Sequence, residues 1–376
     1  MADIDAHAWD ELLSQQDAPT PFLRHAYLQA MEASGSATAG TGWQPQHLTL
    51  WRGGRLEAAC PLYAKDHSYG EYVFDWAWAN AYEQHGLAYY PKGLVAAPFT
   101  PVPGSRLLAR DGHARRALAK ALLSHARRQG WSSLHLLFLS PADVQACEEA
   151  GLLMRQAVQF HWQHGGWADF EAFLASLSQD KRKKIRQERR KVAEAGVQFR
   201  VIEGPQASAA DWDFFYRCYE RTYREHGNPP YLRRDFFRRV ARDMASNWVL
   251  FVAERGGRPI ACSLLAVSRT TDGRPEVAYG RYWGALERVD CLHFEACYYQ
   301  PLQWCIANGV RRFEGGAQGE HKMARALLPV ATRSAHWLAH PAFADAVQRF
   351  LEREGEGVER YLEHLEARSP FRRSSG

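Results

Sequence analysis

A short stretch occurs twice in this chain, and the repetition limits the architectures open to it. Trp51-Arg-Gly-Gly-Arg-Leu-Glu-Ala-Ala-Cys60 returns as Glu254-Arg-Gly-Gly-Arg-Pro-Ile-Ala-Cys262. Each Gly-Gly pair lies between alternating apolar runs, His47 to Trp51 and Ala58 to Tyr63 in the first copy, Val249 to Ala253 and Ile260 to Val267 in the second. That pattern predicts a hairpin whose two turn residues take positive φ. Each hairpin is later followed by a helical pattern that ends in glycine and meets a strand. In the first copy Ala114 to Gln129 stops at Gly130 before Leu134 to Phe138; in the second Leu292 to Asn308 stops at Gly309 before Val310 to Glu314. Pro301 is expected to kink the second helix or delay its start. Matching flanks favour duplication over chance.

A length of 376 residues exceeds one ordinary core and suits two domains. With 46% apolar and 24% charged residues the chain reads as globular, neither disordered nor fibrous. Strands alternating with helices predict α/β (α+β) units. No apolar run reaches the length of a membrane span, so no integral membrane association is expected. The acidic start Met1-Ala-Asp-Ile-Asp lacks a secretion signal, and seven cysteines without framework spacing predict reduced thiols in a cytoplasm. A net charge of +5 implies no nucleic-acid partner by itself.

The first copy is 24 residues longer than the second between hairpin and helix end, and the surplus lies around an aromatic insertion at about 66–106. A long aromatic loop on a compact scaffold is either a binding wall or a cover for apolar surface. A domain boundary is expected near Gly165-Gly166, giving domains 1–165 and 166–376. The second opens with one amphipathic helix at about 170–195, with eight basic residues in eleven from 181 to 191. That basic helix reads as a solvated face, a phosphate or RNA contact, or a contact to anionic lipid. The tail from Arg368 is expected to fray.

The segment Phe313-Glu-Gly-Gly-Ala-Gln-Gly-Glu-His-Lys322 is too polar to bury and too rich in glycine for a helix interior. Such a stretch suits backbone brought close to a ligand. His321 is its best general base, Glu320 can serve if desolvated, and Lys322 with the amides of 316–319 offers positive potential. On composition alone these residues equally suit a solvated loop. His293, Glu295 and Cys297 follow at i, i+2 and i+4, without the further ligands a metal site needs, so no metal is expected. Glu295 is a candidate binder of a substrate amine. Asp75 between Phe74 and Trp76 needs a partner; Arg106 and Arg281 suit a carboxylate or phosphate. Trp78, Tyr82 and Trp283 are candidate stacking platforms, although aromatics at such spacing often only pack.

Taken together, Glu71 to Ala79, Pro98 to Leu108, Lys181 to Arg189, Gly280-Arg-Tyr-Trp-Gly284, His293-Phe-Glu295 and Gly315 to Lys322 resemble the FemAB-like N-acyltransferases, relatives of the Fem peptidyltransferases of peptidoglycan synthesis. The resemblance runs over nearly the whole chain. It implies two tandem GNAT-like domains, mixed central sheets flanked by helices. It turns the loop reading toward a site, with His321, Glu320, Lys322 and Glu295 in catalysis. It also implies Asp75, Trp76, Trp78, Tyr82, Arg106, Arg281, Trp283 and Gln318 in substrate binding. The activity implied is amide formation between an acyl or aminoacyl donor (acyl-CoA or aminoacyl-tRNA) and a small-molecule or peptide amine, in a cleft between the domains. Neither repeat carries the Arg/Gln-x-x-Gly-x-Gly/Ala loop that holds coenzyme A pyrophosphate, which predicts weak coenzyme A binding. The competing classes are a catalytically dead binding module for a cell-wall or nucleotide-linked ligand, and an RNA-binding protein resting on the basic helix.

Overall fold

The structure, a computed structural model, describes residues 1–317 and 319–372. It forms two compact units: Met1–Val158 with Ala331–Tyr361, and Gln159–Val330 with the segment from Leu362 onward. The sequence division at 165/166 assigns 331–361 to the second half. That segment joins the first unit because Ala335 to Leu338 pair antiparallel with Leu136 to Ser133.

Both Gly-Gly turns form as hairpins, with Gly53, Gly54, Gly256 and Gly257 all at positive φ. In the second unit the hairpin is two unbroken strands, Trp248–Arg255 and Arg258–Arg269. In the first it is split into Trp43–Pro45 and Leu48–Arg52 on one side, Arg55–Cys60 and Leu62–Lys65 on the other. Pro61 stands at the second break, where its missing N–H cannot serve a ladder.

Beyond the hairpins the two units share one topology. Lys92–Val95 pairs with Leu62–Lys65 and lies parallel to Ser133–Leu136. Pro275–Ala285 likewise pairs with Arg258–Arg269 and lies parallel to Arg312–Glu314. A parallel step needs a crossover, and a helix supplies it each time. In the first unit this is Gly112–Arg128, capped by the Asp111 side chain, with Leu118, Leu122 and Ala126 packed in a core with Val95 and Leu136. These are the mixed, helix-flanked sheets of a tandem GNAT-like fold. No described helix is long and apolar enough to cross a membrane.

Two local expectations are corrected. The helix expected over 170–195 is two helices, Phe170–Ser176 and Gln179–Glu194. The residues expected to fray cause the break: Leu177 bridges Phe371, Ser178 N–H donates to the Pro370 carbonyl at 3.0 Å, and Arg372 N–H donates to Ser176 at 3.0 Å. Docking an extended segment there costs Leu177 its helical conformation, and Phe371 stacks on Trp167 in return.

Candidate active site

The second unit contains a parting of parallel strands. Pairing of Pro275–Ala285 with Arg312–Glu314 covers only Val277 to Tyr279. On its other edge the same strand stays paired to Ala285, with Tyr282 opposite Leu264 and Gly280 opposite Leu265, so Arg281 is an extra, bulged residue. Past Tyr279 the parallel strands diverge around a pocket of about 240 Å³. Its walls include Gly280, Arg281, Trp283, His293, Tyr298 and Gly315. Gly315 has to be glycine, since a Cβ there would lie 2.6 Å from Leu327 Cδ2.

The helix over the pocket is irregular for a reason visible in its sequence. Leu292–Phe294 is α-helical, Glu295–Tyr299 is a π-turn, and Gln300–Ala307 is α-helical again. Pro301 has no N–H for the carbonyl four residues back, and the turn before it widens. Pro301 is thus accommodated without ending the helix, and Cys297 and Tyr298 both line the pocket.

The polar loop continues into a 3-10 turn, Glu320–Arg325. His321 is exposed, and its Nε2 lies 3.5 Å from the Tyr298 hydroxyl. Partial desolvation, then the charges of Lys322 and Arg325, hold its pKa below the ordinary imidazole value. Lys322 is buried and donates to the carbonyls of Gly316 at 3.1 Å and Ala317 at 2.8 Å; burial brings its pKa down to about 8. Glu320 is exposed and paired with Arg368, an environment opposite to the desolvation a carboxylate base requires. Glu295 is buried and accepts from Arg189 Nε at 3.1 Å and from Gln300 at 2.7 Å, so it anchors the basic helix. Arg281 donates to the Tyr282 hydroxyl at 3.1 Å, and Trp283 meets His293 edge-on. Gln318 lies outside the described residues. Desolvation lifts the Cys297 thiol far above the usual range, which removes it as a thiolate nucleophile.

The remaining sequence candidates lie in the first unit. Lys65 and Lys92 stand directly opposite each other on neighbouring strands, an arrangement of like charges that needs compensation. The insertion supplies it: Lys92 donates to Glu71 at 2.8 Å, to Ser68 at 2.8 Å and to Asp75. Tyr89 donates to Asp75 at 2.6 Å, and His135 and His336 extend the row at 2.8 Å from each other. Burial opposes ionisation of Asp75, but Lys92 and His135 prevail and hold its carboxyl below the usual range. At Glu71 burial prevails, and the pKa rises to about 7. Trp78 and Tyr82 are buried with Leu338 and Val347, while Trp76 stays exposed. Arg106 is buried and donates to the Val102 carbonyl. In this unit Pro98 to Arg106 packs where the second unit has its pocket: Gly104 bridges Leu139, and Phe99 and Val102 are buried.

Three residues of the second unit carry contacts that sequence reasoning missed: Tyr298, Glu188 and Arg325. Glu188 had a signal, being a carboxylate on the Ile185–Val192 face of a helix otherwise crowded with cations.

The family model for FemAB-like proteins, described as peptidoglycan biosynthesis/recognition, matches residues 1–373. Among solved structures, FemX is similar at 9% identity and a TM-score of 0.57, with 92% of this chain and 98% of that chain covered. L-PGS from Bacillus licheniformis is similar at 11% identity and a TM-score of 0.56, with 92% and 97% covered. At these identities the likeness is one of fold. No curated protein matches the chain. A match over nearly its full length settles the kinship: this chain belongs to the FemAB-like family.

Proposed function

We propose that the protein forms an amide by moving an acyl or aminoacyl group onto an amine, with the pocket of the second unit as the reaction site. The observation that carries this is the parting of the parallel strands at Arg281, beside a histidine that touches the pocket wall at Tyr298. Attack on a carbonyl needs a neutral amine, a base for the proton it sheds, and stabilisation of the oxygen that gains charge. His321 is the base, because its neighbours keep the imidazole neutral and able to accept a proton. The strand edge beyond Tyr279, no longer paired on the pocket side, offers backbone amides to the developing oxyanion, and Arg281 adds positive potential. Lys322 acts indirectly by holding the carbonyls of Gly316 and Ala317, which shapes the loop carrying His321. Family membership favours an amine of a peptidoglycan precursor as acceptor. The exposed Lys183, Lys184, Arg190 and Lys191 favour a donor borne on a polyanion.

A binding module is the second reading, favoured by the commitment of Glu320 to Arg368 and of Lys322 to backbone carbonyls. Native mass spectrometry of protein purified from its own host identifies a co-purified ligand. Turnover of that ligand with candidate amines, in wild type and His321→Ala, then separates the readings. Product formation lost in the variant supports transfer, whereas tight binding without turnover in either protein supports recognition alone.

A further inference from the structure

Arg325 is 3% exposed and touches three separate elements of the second unit. Its Nη2 reaches both oxygens of Glu188, at 3.2 and 3.0 Å, on the helix Gln179–Glu194. Its guanidinium lies 3.7 Å from the ring centroid of Phe294, at the start of the helix over the pocket. Its Nη1 donates to the backbone carbonyl of His321 at 3.0 Å. Glu188 is itself buried and accepts from the Tyr299 hydroxyl of the π-turn. The His321 ring, by contrast, is exposed, with the 3.5 Å approach to Tyr298 as its hydrogen bond.

From this geometry we infer that Arg325 is the positioning residue of His321, fixing its backbone through the buried carboxylate of Glu188. The inference rests on the proposed role of His321, although the contacts exist whatever that role is. A guanidinium suits the task because its planar fork serves a carboxylate and a carbonyl at once, and its face stacks on an aromatic ring. Lysine offers one point charge and cannot satisfy both partners in the same directions. The sequence order is also apt, since Arg325 stands four residues after His321 and reaches back over the 3-10 turn to the carbonyl that begins it. The consequence is that the basic helix and the loop of His321 are joined by a buried ion pair, so loosening either end frees the ring.

The test uses the full chain labelled at histidine Cε1 with carbon-13, the His321 signal being assigned by its loss in His321→Ala. Lys322 and Arg325 from its own turn, and His293 and Tyr298 from the helix over the pocket, are the groups that face this ring. In Arg325→Gln and in Glu188→Gln the His321 signal is expected to move toward a solvent-averaged position. Its titration midpoint should rise in Arg325→Gln, and Arg325→Lys should recover the midpoint but not the position. The effect of Glu188→Gln should vanish when Arg325 is already glutamine. Unchanged signals of the other histidines verify that each variant is folded. A His321 signal identical to wild type in both glutamine variants overturns the inference. Because this readout needs no substrate, it stands apart from the reading of His321 as base, which fails separately if His321→Ala retains turnover.

Discussion

His321 has a setting suited to a base: it is exposed, and Lys322 and Arg325 disfavour its charged form. A base works deprotonated, so activity should fall as pH drops through a midpoint on the acid side of the ordinary imidazole value of about 6.5. His321→Ala should abolish that inflection and cut turnover by roughly two orders of magnitude or more. Its melting temperature should hardly move, since an exposed side chain contributes little buried area. Survival of the inflection in the variant shifts the proton to the substrate or to Tyr298. Lys92 is the opposite kind of residue, fully buried and paired with Glu71 and Asp75. Lys92→Met should cost about 3–5 kcal/mol by stranding two buried carboxylates. The exposed pair Arg186–Glu171 is the control, and Arg186→Ala should cost about 1 kcal/mol or less. Denaturant midpoints at constant slope read both; equal losses in the two variants would refute the distinction.

At the scale of elements, the π-turn before Pro301 sets where Tyr298 and Cys297 point. Pro301→Ala restores an N–H to the Cys297 carbonyl and allows an α-turn, which rotates Tyr298 away from His321. Turnover should fall about tenfold or more while the melting temperature holds or rises, because proline is a poor helix residue. A variant that keeps full activity makes the π-turn incidental to the site. Much of this level was legible in the sequence. Gly-Gly turns, helix-ending glycines and alternating strands are local signals, and they gave both hairpins and both crossovers. Pro301 also announced an irregularity, though not its form. The break at Leu177 was hidden because its cause lies at Phe371, almost two hundred positions away along the chain. Asp75 announced a buried partner, but Lys92 could be found only through strand register. Trp78, Tyr82 and Arg106 had the composition of ligand-binding residues and use it internally, a distinction that depends on burial and not on residue type.

At the scale of the whole molecule, duplication followed by divergence left one pocket of this type described: Pro98 to Arg106 packs the first unit where the second opens around Arg281. The donor is the point on which the two copies give the least guidance, and its identity can be approached through electrostatics. Neither copy has the glycine loop that presents amides to a pyrophosphate, so calorimetry should find coenzyme A binding weak or absent; tight acetyl-CoA binding would make an ordinary acetyltransferase the leading reading. The outward face of Gln179–Glu194 presents Lys183, Lys184, Arg190 and Lys191 to solvent. If that face receives a tRNA-borne donor, log affinity for tRNA should fall linearly with log salt, by about 0.7–0.9 for each phosphate neutralised. Replacing the four residues by alanine should weaken binding and flatten that slope, while Ile185, Glu188 and Val192 keep the helix packed and the melting temperature near wild type. The inner face is thereby separated from the outer one in a single variant. A slope and affinity unchanged by the four substitutions remove the basic face from donor binding and leave the helix with its inward task, the anchoring of Arg325 and Glu295.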